Sequence, residues 1–199
     1  MSDAPQKKEY ILGVDPGGHG AFVLLHTKFN RRLIYKNDIL MMPGRKLKDG
    51  YNVDEMCNWL KEMSEKYTIY TYMEHNHALG NVGANSSYIF GWYSGIAYGL
   101  CLAYTESINM VSPKVWQNAI RDSSDVVLDS NGKVDTKPTA LRMAGRIFPG
   151  VSFIPPKYRT PHDGVVDAAL IAYYGLMIHT GAIQPAAQKK KRRSKKNGA

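Results

Sequence analysis

Cysteine is almost absent from this 199-residue chain, with Cys57 and Cys101 the only two. Two thiols cannot build a disulfide framework or a zinc ribbon. Both sit in stretches that read as helix interiors, which points to a reducing compartment. The opening MSDAPQKKEY has no apolar core, so no secretory signal is expected. A sustained hydrophobic run is also lacking. The uncharged stretch 78–105 comes nearest, but Asn81, Asn85, Ser86, Ser87 and Ser94 interrupt it. It reads as a core helix rather than a membrane span. There is no acidic excess either: 26 Lys and Arg stand against 17 Asp and Glu, a net charge of +9. Seven of those basic residues (Lys189, Lys190, Lys191, Arg192, Arg193, Lys195 and Lys196) lie in the last eleven positions. Without them nineteen basic residues face seventeen acidic ones, a balance of +2. The basicity is therefore a tail, suited to a polyanion such as nucleic acid and silent about chemistry.

What remains has an ordinary globular composition and is long enough to bury one core. Residues 1–9 read as a flexible leader, 10–183 as one folded domain and 184–199 as a disordered basic tail. Tyr10–Val14 and Ala21–Leu25 are short runs rich in strand formers, separated by a Gly/Pro turn, and so form a hairpin. A third strand is expected over Arg32–Ile39, with a loop from Met41 to Asn52. Met56, Trp59, Leu60 and Met63 fall at helical spacing within Val53–Lys66. Ile69–Met73 reads as a strand ending at Glu74, 75–86 as a loop, Ser87 to about Glu106 as a long helix and Ile108–Val111 as a strand. Helices are expected after Pro113, over Thr136–Phe148 and over Asp163–Thr180. Asn131-Gly132 between short apolar pairs marks a small exposed hairpin within 121–135. In the long helix, Gly91, Gly95 and Gly99 share a face, read as close intramolecular packing, with subunit contact as the alternative. Tyr88, Phe90, Trp92 and Tyr93 are read mostly as core, the alternative being a platform for an unstacked base.

Four carboxylates stand out. Asp15 and Glu74 each end an apolar strand, where an acid alone is ordinarily a turn or surface residue. Asp163 and Asp167 are four apart, on one face of an otherwise apolar helix. Asp163 could serve only as an N-terminal helix charge. Asp167, set among Val165, Val166, Ala168, Ala169, Leu170 and Ile171, is costly unless paired or bound to a metal. If the helix crosses the sheet near those strand ends, all four converge. Oxygen-only ligands select hard ions, Mg²⁺ with Mn²⁺ as substitute. Two such ions about 4 Å apart are a common device for cleaving a phosphodiester.

ILGVDPGGHGAFVLL, YMEHN, NSSYIFGWYSGIAYGL, VSPKVWQNAI, ALRMAGRIFPG and HDGVVDAALIAYYG occur in that order. Together they resemble the RuvC-type Holliday junction resolvases, particularly the branch of phages, poxviruses and plant organelles. The resemblance covers roughly residues 10–180. It implies a ribonuclease-H-like α/β fold with a mixed five-stranded sheet flanked by helices. It also implies a homodimer that nicks four-way DNA junctions symmetrically, with two Mg²⁺ ions per site. By that resemblance Asp15, Glu74, Asp163 and Asp167 are the catalytic metal ligands. The D-G-x-x-D spacing fits the phage and organelle branch, whereas bacterial enzymes place the pair three apart. Gln117 stands where the family usually has Lys, which leaves phosphate binding to Lys114 or Lys137, together with Lys189, Lys190, Lys191, Arg192 and Arg193 of the tail. The 121–135 hairpin looks like an insertion relative to the bacterial enzymes.

His75 and His77 flank the expected site, and His162 is read as the cap of the last helix. Asp129 to Gly132 is read as a turn rather than a calcium loop. Three other functions compete with a junction resolvase: a nuclease acting on branched or flap DNA in general, a non-catalytic nucleic-acid-binding module, and an actin- or sugar-kinase-like ATPase. The ATPase shares the G-x-D-x-G hairpin but needs two domains and a second phosphate loop, so no nucleotide cofactor is expected. A binding module leaves the acidic cluster unexplained. The expected location is the cytoplasm of a bacterium or phage-infected host, with nucleus or organelle as the alternative.

Overall fold

Five strands form one mixed sheet in the order β3-β2-β1-β6-β7. The computed structural model describes residues 7–27, 39–43, 46–47, 50–51, 53–75, 83–156 and 158–185. β1 (Lys8–Asp15) and β2 (Ala21–His26) make the expected antiparallel hairpin, with Asp15 opposite Ala21. Its turn is closed by the Gly20 N–H donating to the Gly17 carbonyl at 2.8 Å. β3 (Ile39–Pro43) pairs antiparallel with β2. It lies later than the expected third strand and runs into the segment read as loop; residues 28–38 fall outside the described residues. The apolar Ile39 and Met42 are what the sheet buries here, and Pro43 sits at the strand's end on an edge, where a missing donor is tolerated. Two-residue strands β4 (Lys46–Leu47) and β5 (Gly50–Tyr51) pair with each other.

α1 (Val53–Lys66) leads into β6 (Tyr67–Glu74), which runs parallel to β1. Asp54 and Glu55 in its first turn and Lys66 in its last suit the helix dipole. α2 (Ala84–Tyr104) starts three residues earlier than expected and leads to β7 (Ser107–Val111), parallel to β6. α3 (Pro113–Ile120) opens with its proline in the first turn, and α4 (Thr136–Ile147) and α5 (Asp163–His179) follow.

The central strands are buried on both faces, which is why β1 reads as a continuous apolar run. Ile11, Val23, Leu25 and Tyr72 face a core completed by α3, α4 and α5. Tyr10, Leu12, Val14, Phe22 and Leu24 face the other core, filled by Met56, Leu60 and Met63 of α1 and Ala97 and Cys101 of α2. This is the sheet-and-helix architecture that the sequence implied. α5 lies almost directly on the β1 backbone. A Cβ at Gly13 would come within 2.0 Å of the Ala168 carbonyl oxygen, so only glycine admits the helix at this depth.

The long helix corrects two readings. α2 joins the core only through Ala97 and Cys101 and is otherwise a surface helix rather than the fully buried one expected. Tyr88 and Trp92 are 66% and 58% exposed, so these two are surface rather than core residues; Phe90 and Tyr93 are half-buried. Among the described residues nothing lies within 4 Å of a Cβ built at Gly91, Gly95 or Gly99, so none of those residues packs against them. Only the C-terminal half of the helix, through Ala97 and Cys101, reaches the core under the sheet.

Candidate active site

The parallel register of β1 and β6 sets Val14 beside Met73. Asp15 and Glu74, the terminal residues of those strands, therefore end side by side, at about the 5 Å strand spacing. Both are half-buried. Asp15 Oδ1 accepts a long hydrogen bond from the Gly17 N–H at 3.4 Å. Glu74 Oε2 accepts from the indole Nε1–H of Trp116 at 2.8 Å.

The start of α5 supplies the second pair of acids. His162 caps it, as expected: its Nδ1 accepts from the Val165 N–H at 3.3 Å, and its carbonyl accepts from Val165 and Val166, both at 3.0 Å. Burial, with the nearby His19 second, holds its imidazole below the ordinary histidine range, which keeps the capping nitrogen unprotonated. Tyr158 stacks edge-on against it at 5.0 Å. Gly164 follows because the first turn presses on the β1–β2 turn, where a Cβ would lie 2.0 Å from the His19 carbonyl oxygen. This close approach carries Asp167 to the strand ends. Asp163, nearer the rim, is exposed and ion-paired with Lys137 Nζ at 2.6 Å.

The electrostatics tie these side chains together. Burial first, then the charge of Glu74, raises the Asp15 carboxyl to about 7, against the opposing Gly17 N–H. Burial first, then Asp15, Glu74 and Asp163, raises Asp167 to about 8, with Lys137 opposing. Acids that repel one another in a desolvated place keep protons, and a cation displaces them. The donor set is oxygen-only and short of positive charge, which suits a hard divalent ion. Among the described residues no three His, Cys, Asp or Glu side chains close into a ready-made ligand group.

The other expected residues scatter. Lys137 reaches the site through Asp163, whereas Lys114 is exposed on the first turn of α3. Gln117 lines a small cavity between α3 and α4 with Arg121 and Thr136. His75 follows Glu74, exposed, and its N–H donates to the Val111 carbonyl at 2.8 Å. His77 and the five tail residues 189–193 lie outside the described residues.

The 121–135 segment is a minimal hairpin with one bridge, Leu128 to Val134. Asp129 accepts from the Asn131 and Lys133 N–H groups, and Gly132 has φ +74°, so this is a turn, as read. Sequence reasoning missed its anchor, the nearly buried Asp125, held by Arg146 Nη2 at 2.7 Å. It also missed the Trp116–Glu74 bond. The only advance signal for that bond was an apolar indole one turn into a helix that follows the neighbouring strand.

No protein-family model matches the sequence, and no curated protein matches it significantly. Solved structures do. RuvC of Thermus thermophilus in complex with a Holliday junction substrate superposes with a TM-score of 0.55 at 14% identity, over 89% of this chain and 99% of that one. A second Thermus thermophilus RuvC structure gives 0.49 at 15% identity, over 86% and 96%. The yeast mitochondrial Holliday junction resolvase Ydc2 gives 0.46 at 14% identity, over 89% and 83%. The first of these bears out the resemblance read from the motifs at the level of the fold, which is ribonuclease-H-like.

Proposed function

We propose that this protein is a metal-dependent, structure-selective endonuclease that resolves four-way DNA junctions by paired symmetric nicks, a crossover junction endodeoxyribonuclease. The observation that carries this reading is the electrostatic coupling of Asp15, Glu74 and Asp167, which come from three distant parts of the chain. Two of them are raised to about 7 and about 8 by burial and mutual repulsion. A surface that only bound DNA would gain nothing from such a cluster, because uncompensated carboxylates repel phosphates. The likeness to RuvC in complex with a Holliday junction substrate supports the same substrate class here.

In this reading Asp15, Glu74 and Asp167 hold the metal, with Asp163 at the rim. Two hard cations, when bound, supply the Lewis-acid chemistry of phosphodiester hydrolysis, activating water and stabilising the leaving 3′-oxygen. The protein contributes position. The strand ends fix Asp15 and Glu74, and the His162 cap with the glycine contact at His19 fixes the start of α5. Lys137 and Lys114 attract the phosphates, and the basic tail adds salt-sensitive affinity without base preference.

Symmetric nicking requires two sites, hence a homodimer with a twofold axis. The surface best suited to it is the outer face of α2. Tyr88, Gly91, Trp92, Gly95, Tyr98, Gly99 and Leu102 recur at helical spacing along it, large apolar side chains alternating with open glycines. Such a stripe complements itself: in a twofold contact the rings of one copy meet the glycines of the other.

A cleavage assay on a labelled immobile four-way junction, with Mg²⁺, Mn²⁺, Ca²⁺ or EDTA, tests the proposal. Paired nicks in opposing strands with Mg²⁺ or Mn²⁺, and none with EDTA, are expected. Equal turnover of Y-forks and flaps would favour a general branched-DNA nuclease with the same site. Metal-independent binding without cleavage would leave only a binding module.

A further inference from the structure

Trp116 lies on the α3/α4 side of the sheet and is 1% exposed. Its placement follows from the strand before it. β7 runs parallel to β6 with Val111 beside Glu74. Pro113 then starts α3 at once, and the first turn, with the Trp116 N–H donating to the Ser112 carbonyl at 3.3 Å, brings the indole back over the end of β6. The ring packs in the core that holds Ile120, Met143 and Ile147, so its plane is fixed by neighbours. The bond from Nε1 to Glu74 Oε2, at 2.8 Å, is made by a donor that the core holds rigid.

We infer that Trp116 is a positioning residue for Glu74: its indole N–H sets the plane in which the carboxylate meets a divalent cation. This rests on the reading of Asp15, Glu74 and Asp167 as a metal site. The chemistry of the donor is the reason it is an indole. Trp donates one hydrogen bond, accepts none and carries no charge. It can orient a carboxylate while leaving the full negative charge for the metal, whereas a Lys or Arg at the same place would neutralise the ligand and compete for it. A hydrogen bond to a carboxylate is among the stronger kinds, and partners that orient metal ligands typically contribute about 10–100-fold in affinity or activity. The same α3/α4 unit serves both halves of the site, through Trp116 to Glu74 and through Lys137 to Asp163.

The test replaces Trp116 with benzothienylalanine, which keeps the bicyclic shape and substitutes sulfur for the N–H, alongside the encoded variant Trp116→Phe. Mn²⁺ is titrated calorimetrically into the full-length protein without DNA, and cleavage is then measured against Mn²⁺ concentration. The expected result is Mn²⁺ affinity weakened by about 10–100-fold with the isostere, a matching rise in the Mn²⁺ needed for half-maximal cleavage and an unchanged KM for junction DNA. The melting temperature without metal is recorded beside it: the isostere keeps the packing, so a fall greater than the few degrees that one lost hydrogen bond costs identifies a loss that is merely structural. Wild-type binding that the isostere matches would overturn the Trp116 role alone. A wild-type protein that takes up no Mn²⁺, or takes it up equally well as Asp15→Asn, would overturn the metal site and this role with it.

Discussion

Lys137 Nζ stands 2.6 Å from Asp163 Oδ2, and its charge also reaches Asp167, one helical turn further along α5. The lysine belongs to α4 and the acids to α5, so the pair ties the helix after the 121–135 hairpin to the rim of the carboxylate cluster. Both side chains are more than half exposed. Their ion pair adds little stability, under about 1 kcal/mol. Lys137→Gln is therefore expected to leave the denaturant midpoint nearly unchanged and to lower junction cleavage by about tenfold or more, as for a partner that orients a ligand. Equal cleavage by the variant and wild type at limiting Mg²⁺ would remove Lys137 from the site.

Asp15→Asn, Glu74→Gln and Asp167→Asn are each expected to abolish cleavage while junction binding by gel shift persists. Without metal, the Asp15 and Asp167 variants should also melt at higher temperature than wild type at pH 8. Each replaces a desolvated, mutually repelled carboxylate with a neutral group of the same shape. Full activity in any one variant would exclude that residue as a ligand.

The same shifts predict how stability depends on pH in EDTA. Asp15 and Asp167 bind protons more tightly in the fold, at about 7 and about 8, than an unfolded Asp near 3.8. Between those limits the native state holds the extra protons, so stability falls as pH rises. Buried His162, held low, works against folding only on the acid side of the ordinary histidine range. Thermal melts from pH 6.5 to 8 should thus show a falling melting temperature in EDTA and a much flatter line with Mn²⁺, which competes with those protons. A melting temperature that rises over this range without metal would contradict the electrostatic account.

If the α2 stripe joins two copies, Trp92→Glu or Leu102→Glu should give a monomer in sedimentation velocity with its secondary structure intact, since both side chains are exposed in the single chain. Gly95→Ala separates the two roles of the helix. A methyl there meets nothing within 4 Å among the described residues and should stabilise the monomer by about 0.5–1 kcal/mol, while weakening the dimer it crowds. Unchanged dimerisation in all three variants would place the interface elsewhere.

Deleting residues 185–199 removes all seven clustered basic residues. Junction affinity should drop, and the slope of log affinity against log salt should flatten by about 0.9 for each phosphate that the tail no longer neutralises. Turnover of bound junction should persist. An unchanged slope would show the tail takes no part in binding.

The ends of β1, β6 and β7 and the positions of the helices were legible in the sequence because each is a local property. An apolar run stopped by Asp15 or Glu74 is a strand with an acid at its tip whatever surrounds it. The i, i+4 spacing places Asp163 and Asp167 on one face of any helix. His162 could be read as a cap for the same reason, since a cap satisfies backbone groups within its own turn. The reading failed where periodicity carried no information. α2 is apolar on every side, so nothing in its pattern distinguishes a helix inside a core from one lying outside it with an open face. Only the tertiary structure decided that, and also which distant segments meet: α5 descends on β1 because Gly13 and Gly164 lack side chains, and the indole of Trp116 lands on Glu74 because β7 happens to lie beside β6. Those approaches depend on pairings between residues far apart along the chain, and a one-dimensional pattern does not encode distance across a sheet.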